Sequence, residues 1–168
     1  MDWIENGYRL LWTEVAPPVK ELANAPSADE HRDFVSSAVA EMLAANAVTL
    51  LPPGEKPRVV SPLGVVPKHG TDKFRLTVNM RYVNRHLGRK VFKFEGLKDL
   101  ADLAEKRDCA VSYDLKSGYY HVGLHLESRT FVGFKWEGKY YTTYNCLPFG
   151  LSTAPWVFSK VMRELLRF

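Results

Sequence analysis

The 168-residue chain has two cysteines and no apolar run near the ~20 residues that a membrane-spanning helix needs. Two cysteines cannot form a disulfide framework, and Cys109 and Cys146 lack the spacing of metal ligands. Because both lie in apolar, strand-like sequence, we expect buried free thiols in a reducing compartment. The start carries Asp2 and Glu5 where a signal peptide needs bases. These absences predict a soluble, intracellular protein with no membrane partner and leave cytoplasm or nucleus open.

The composition is that of a folded protein. Hydrophobic residues make up 46% and charged residues 25%, which argues against wholesale disorder. The length suits one domain of ordinary size and is too short for a self-sufficient multi-domain enzyme. No internal repeat or low-complexity tract is visible.

The net charge of +4 conceals a strong asymmetry along the chain. Residues 1–55 carry −6, residues 56–93 carry +9 and residues 94–168 carry +1. Five of the ten bases in the central block are arginines, and aromatic residues are interleaved with them. This pattern favours a surface for a polyanion such as nucleic acid, although a solvated, lysine-rich loop is the alternative.

Local patterns divide the first half into a lead-in, a helix and a hairpin. Residues 1–26 end in a Pro/Ala/Asn-rich stretch and predict a loosely attached segment. A helix should begin at Ser27, which forms a capping box with Glu30, and should end before 51–54. Residues 59–67 and 74–80 then predict two strands, with the prolines of the first placing it at a sheet edge and a turn over 69–72.

The second half alternates helices and short strands. Helical periodicity covers 97–107, and residues 109–114 predict a short buried strand that ends in an acid. Residues 130–136 and 139–146 flank Glu137-Gly138, which indicates a two-residue hairpin. Ser152 is placed to cap a final helix. The mixture of hairpins and helices predicts an α+β fold and argues against a doubly wound parallel sheet.

Asp114 is the most informative single residue. A carboxylate that closes an apolar strand lies at the rim of a sheet, where it can reach solvent and Mg²⁺. A helix N-cap needs the same residue for hydrogen bonding alone, so both interpretations stay open. The turn over 148–155 offers backbone N–H groups to a phosphate or template strand, but any generic loop would do the same. Lys68 and Arg75 bracket the hairpin turn, where they either hold a triphosphate or only keep the surface soluble.

Four segments of the chain form a recognisable series. They read SPLGVVPK at 61–68, KFRLTVNMRYVN at 73–84, YDLKSGYYHV at 113–122 and LPFGLSTAPWVF at 147–158. Together they resemble the retroelement reverse transcriptases, most closely those of Ty3/Gypsy-like or DIRS-like retrotransposons. The match covers roughly residues 27–168 in the family's order and spacing.

The resemblance implies the fingers and part of the palm of a right-hand polymerase. Residues 56–93 would form the basic fingers hairpin region and 109–168 the palm portion. An RNA template, a DNA primer and a dNTP would be the partners, and Mg²⁺ the cofactor. The resemblance implies four roles for site residues. Asp114 would be the catalytic metal ligand, and the backbone carbonyl of Leu115 would bind the second metal ion beside the nucleotide. The residues around the nucleotide would be Lys68, Arg75, Tyr119, Phe149 and Gly150, with Tyr119 excluding a ribose 2′-OH, and those along the nucleic acid would be Lys73, Arg81, Arg85 and Pro148.

One departure of the sequence from the family bears directly on catalysis. The aromatic-x-Asp-Asp motif that supplies the other metal-binding acids is absent, since the chain contains no adjacent pair of aspartates. We therefore expect an incomplete palm sheet, no polymerisation by this chain alone, and either self-association or a need for missing downstream polymerase segments. Two functions stay open for the chain. It is either one part of an active reverse transcriptase or a non-catalytic remnant that binds nucleic acid or protein. An RNA-templated RNA polymerase is disfavoured by Tyr119.

Overall fold

A computed structural model describes residues 2–94, 96, 105–109, 111–112, 114–115, 118–143 and 145–165 of the chain. Short helices and strands alternate, which confirms the α+β expectation. The helices are α1 (Asp2–Asn6), α2 (Pro26–Glu30), α3 (Arg32–Ala44), α4 (Arg81–Asn84), a 3₁₀ helix (Gly118–His121), α5 (Leu126–Arg129) and α6 (Ala154–Leu165). The strands are β1 (Lys20–Glu21), β2 (Val48–Leu50), β3 (Val59–Val60), β4 (Leu63–Pro67), β5 (Phe74–Val78), β6 (Phe134–Trp136) and β7 (Lys139–Thr143).

The strands form two neighbouring systems. Strands β2, β7 and β6 pair antiparallel, and the parallel pair β1–β3 joins them through a bridge between Val60 and Gly133. Strands β4 and β5 form a separate antiparallel hairpin, with Val66 opposite Arg75. The tight β6–β7 turn has positive φ at both Glu137 and Gly138, the geometry of a two-residue hairpin, so this prediction is confirmed.

The N-terminal segment is part of the core, so the predicted loose attachment of residues 1–26 is wrong. Tyr8 is fully buried, its N–H donates to the Gly123 carbonyl at 2.7 Å, and its own carbonyl accepts from His125 N at 3.0 Å. Further along, Thr13 N donates to the His86 carbonyl at 2.9 Å. The Pro-rich composition describes only the end of the segment, whereas the buried aromatic residue before it provides the anchor.

The first predicted helix is divided, and its predicted cap is wrong. Helix α2 begins at Pro26, without a side-chain cap, and ends at Glu30, and α3 runs from Arg32. The Ser27 hydroxyl accepts from Val65 N of β4 at 3.0 Å, so a tertiary contact has taken the oxygen that the capping box needs. The buried side of α3 carries Val35, Val39 and Met42, as predicted.

The strand predicted over 109–114 is absent from the described part of this segment. Residues 109, 111, 112 and 114 are exposed and unpaired with any strand, and Val111 is 72% exposed. Cys109 is therefore exposed, contrary to expectation, whereas Cys146 is buried as predicted. Apolar residues predict a strand only where a neighbouring strand supplies hydrogen bonds, and no described strand lies beside them. The helix predicted over 97–107 falls outside the described residues except at 105–107, which lie in a turn.

Helix α6 is the last element of the described chain. It begins at Ala154, two residues after the predicted cap Ser152, and buries Ala154, Val157 and Val161. Its end is exposed at Leu165. Within the described residues, no helix has both the length and the hydropathy to cross a membrane.

Candidate functional site

The β4–β5 hairpin presents the predicted nucleotide-binding cations to solvent. Lys68 N donates to the Lys73 carbonyl at 2.7 Å, which closes the turn, and Gly70 at its tip has φ +73°. Lys68, Lys73 and Arg75 are exposed. In the described part of the chain, no ion pair involves them. Their charge is therefore left available to an anionic ligand.

Two further predicted cations continue this surface. Arg81 begins α4 and Arg85 follows its last residue, and both side chains are exposed. Because α4 follows β5 after only two residues, the five cations lie along one continuous stretch of chain, from β4 to the end of α4. Pro148, in contrast, is buried with Cys146 and Leu147. Its predicted contact with nucleic acid would need this buried residue to become accessible, and it stays a prediction.

An aromatic cluster surrounds Tyr119 on the 3₁₀ helix. The ring of Tyr119 lies 5.0 Å from that of Phe149 and 5.5 Å from that of Phe158. Tyr120 also contacts Phe149, with ring centroids 5.4 Å apart. Phe158 comes from α6, so rings from two other chain segments contact Tyr119. Phe149 remains 48% exposed and leaves one side of the cluster open.

The turn that carries Phe149 lies against the end of β5. Gly150 has φ +88°, and a Cβ built there would approach the Val78 carbonyl oxygen at 3.1 Å. Glycine is required on both counts, since a side chain would be strained and crowded. Val78 is three residues along the same strand from Arg75. The structure therefore brings the predicted turn, the Tyr119 ring and the strand that carries Arg75 together.

Asp114 is exposed and lies four residues before the 3₁₀ helix. Its neighbour Leu115 is 44% exposed. Among the described residues, no group of three or more His, Cys, Asp or Glu side chains could hold a metal ion. Two Mg²⁺ ions need several anionic oxygens, and one carboxylate does not supply them. The described residues therefore do not fit a complete two-metal centre.

Burial removes two other titratable groups from consideration as acids or bases. It raises the pKa of Tyr120 to about 12 and, against the opposing effect of the Arg129 guanidinium, raises the pKa of Cys146 to about 12. Both groups are neutral at physiological pH. Neither the phenol nor the thiol is suited to proton transfer there.

Sequence reasoning missed an aromatic–cation cluster on α6. The Trp156 ring has Lys90 Nζ at 5.1 Å and Lys160 Nζ at 5.6 Å from its centroid, and Trp3 packs on it at 5.4 Å. The only signal in the sequence was the spacing of Trp156 and Lys160 on one helix. Lys90 and Trp3 come from distant segments and reach the ring only in the tertiary structure.

Similarity to known proteins identifies the family to which the chain belongs. The sequence model of the family described as "Reverse transcriptase (RNA-dependent DNA polymerase)" matches residues 66–168. The chain belongs to the reverse transcriptase family. This confirms the resemblance to retroelement reverse transcriptases. The family implies a divalent-metal requirement, although no group of three or more potential metal ligands lies among the described residues.

Retroelement and viral polyproteins are among the similar sequences. The genome polyprotein of Petunia vein clearing virus (isolate Shepherd) is 30% identical over 95 residues, which cover 56% of this chain and 4% of the polyprotein. The retrovirus-related Pol polyprotein from transposon gypsy of Drosophila melanogaster is 29% identical over 140 residues, 80% of this chain and 13% of that protein. The chain thus spans a small part of the curated relatives that it matches.

The fold is that of reverse transcriptase fingers and part of the palm. The foamy viral protease-reverse transcriptase in complex with RNA/DNA hybrid superposes with a TM-score of 0.68 at 19% identity, over 95% of this chain and 20% of that one. The match reaches well before residue 27, in agreement with the packing of the N-terminal segment.

Proposed function

We propose that this chain forms the nucleotide- and template-binding part of a retroelement RNA-directed DNA polymerase. The observation that carries the proposal is the joining of three predicted features: the Gly150 turn packs on Val78 of β5, the same strand carries Arg75, and Phe149 of the turn contacts Tyr119. A triphosphate would be held by Arg75 and Lys68, and the Tyr119 ring would lie where it excludes a ribose 2′-OH.

The nucleic-acid partner is supported by charge and by a solved relative. The exposed cations Lys73, Arg81 and Arg85 lie on the fingers structure without described ion pairs, and the foamy viral relative has been solved in complex with RNA/DNA hybrid. Backbone phosphates attract such a surface whatever the base sequence, because base pairing with the template supplies the sequence information. An RNA–DNA hybrid is thus the proposed ligand.

Salt dependence tests this interface. The double variant Arg75→Ala/Arg81→Ala removes two proposed phosphate contacts, so the slope of log K against log salt should fall in magnitude by roughly two. Lys20→Ala/Lys139→Ala is the matched control, because these exposed lysines of β1 and β7 carry the same charge away from the hairpin. Hybrid binding that is independent of salt, or an equal change of slope in both variants, would overturn the proposal.

The chemical step is a separate question, and one observation favours a second function. The 168 residues contain no adjacent aspartates, and the described part has no cluster of acids. A non-catalytic domain that holds nucleic acid or a protein through the same surface is therefore the alternative. We expect no primer extension by this chain alone with primed RNA, dNTPs and Mg²⁺. Extension that is lost in Asp114→Asn would refute that expectation and exclude the alternative.

A further inference from the structure

Asn84, the last residue of α4, joins the fingers to the turn that carries Phe149. Its Nδ2 donates to the Gly150 carbonyl at 2.9 Å, and its Oδ1 accepts from Ser152 N at 2.9 Å. One side chain thus satisfies a carbonyl and an N–H of the same turn. This is the pairing that a neighbouring strand would offer, although no strand lies there among the described residues.

The helix that presents Asn84 is itself firmly placed. Val83 is fully buried and Leu87 is 5% exposed, so the residues on both sides of Asn84 are held in the core. The backbone N–H of Asn84 donates to the Met80 carbonyl at 2.8 Å. Met80 is also buried, and its Cγ would contact a Cβ at Gly150 at 3.7 Å. The amide group therefore extends from a rigid element.

On the opposite side of the turn, the contacts among the described residues are packing contacts. Gly150 lies against the Val78 carbonyl, and the ring of Phe149 meets those of Tyr119 and Tyr120. Ring contacts allow sliding, whereas two hydrogen bonds with defined directions do not. The orientation of the turn between the hairpin and the Tyr119 ring thus depends on Asn84.

We propose that Asn84 is a positioning residue, which fixes the Phe149–Gly150 turn so that a deoxynucleoside triphosphate meets Phe149 and Tyr119 in one arrangement. This inference rests on the proposed nucleotide site. Asn84 does not touch the nucleotide and acts through the turn. Its loss should therefore weaken nucleotide binding more than it lowers stability.

The test follows the turn directly in the ¹⁵N-labelled 168-residue chain. Asn84→Ala removes both bonds, and the Ser152 amide should exchange with solvent roughly tenfold faster than in the wild type. Asn84→Asp keeps the acceptor for Ser152 N–H and loses the donor to Gly150, so the Ser152 amide should stay protected. Asn79→Ala is the matched control, because Asn79 Oδ1 accepts from Arg81 N at 3.1 Å just before α4, and no described side-chain hydrogen bond joins Asn79 to the turn.

The second arm titrates each variant with Mg²⁺ and dTTP and follows the amide signals of Phe149 and Gly150. Binding should weaken roughly fivefold in Asn84→Ala, the ratio expected for one net hydrogen bond, and should be unchanged in Asn79→Ala. Asn84→Asp should also bind more weakly, and it keeps the test decisive if the alanine variant fails to fold. Urea unfolding of the same samples separates loss of the turn from loss of the fold.

The outcomes distinguish the two proposals. If the wild type binds dTTP and both Asn84 variants bind it equally well, the positioning role is overturned and the nucleotide site stands. If dTTP leaves the turn signals of the wild type unmoved, the nucleotide site is overturned, and the role of Asn84 falls with it. Faster exchange at Ser152 together with weaker dTTP binding supports both.

Discussion

The contact between Gly118 and Phe158 beneath Tyr119 can be tested with a designed clash and its relief. A Cβ added at Gly118 would lie 3.0 Å from Cζ and 3.2 Å from Cε2 of Phe158. Overpacking of this kind destabilises a protein by about 1–3 kcal/mol. Alanine loses less backbone entropy on folding than glycine, which offsets about 0.5–1 kcal/mol of that cost. We therefore expect Gly118→Ala to lower the free energy of unfolding by about 1 kcal/mol.

Removal of the ring atoms should abolish the clash. Phe158→Leu eliminates the Cζ and Cε2 positions, and the next atom that the new Cβ would meet is Leu115 Cβ at 3.8 Å, an ordinary contact. The single variant should cost about 1–2 kcal/mol, because Phe158 is only partly buried. In the double variant the two losses should be less than additive by about 1 kcal/mol.

Urea unfolding followed by tryptophan fluorescence measures all four proteins, with equal m-values as the check for two-state behaviour. Gly88→Ala is the matched control, since its added Cβ would meet nothing closer than the Leu11 carbonyl oxygen at 3.8 Å. If Gly118→Ala is as harmless as Gly88→Ala, or if the losses in the double variant are additive, the packing of Phe158 beneath Tyr119 is not as described.

Two further predictions concern the dependence of stability on pH. Burial raises the pKa of the Cys146 thiol to about 12. Above about pH 8.5 the thiol of the unfolded chain therefore loses its proton while that of the folded chain keeps it. The free energy of unfolding should fall as a result, by roughly 2 kcal/mol at pH 10. Thermal melts between pH 7 and 10 should lose this slope in Cys146→Ala and keep it in Cys109→Ser, and an unchanged slope in the alanine variant would contradict the assignment. The hydrogen bond from Lys135 holds the pKa of the Glu21 carboxyl below its ordinary value, which adds stability above about pH 4.3 that is lost as the pH falls through the folded-state pKa. Glu21→Gln should thus melt below the wild type at pH 7 and together with it at pH 3, and equal melting temperatures at pH 7 would count against the ion pair.

Some of the fold could be predicted because the signal is local. The β6–β7 turn is encoded in Glu137-Gly138, since only residues that tolerate positive φ close a two-residue hairpin. The β4–β5 hairpin and the buried side of α3 follow from alternation and helical spacing in the same way. The failures have equally physical causes: Ser27 gives its hydroxyl to β4 instead of to its own helix, and Tyr8 buries a segment that its Pro-rich end made look loose.

The candidate site shows the same division. The residue types at Arg75, Tyr119 and Phe149 were visible in the motifs, and so was the resemblance that gave them roles. Neither Phe158 nor Asn84 could be assigned a task from the sequence. Each acts on a residue at least 39 positions away, through a ring contact or a pair of hydrogen bonds.

The sequence by itself determined the family, the basic character of the fingers and the absence of adjacent aspartates, because each of these is a property of residue order and charge alone. The tertiary structure decided which residues hold the site in place: the N-terminal segment with Tyr8 bonded to Gly123, the Phe158 ring beneath Tyr119 and the Asn84 amide on the Phe149 turn. Packing and hydrogen bonding join groups that are distant in the chain, and neither periodicity nor local propensity contains that information.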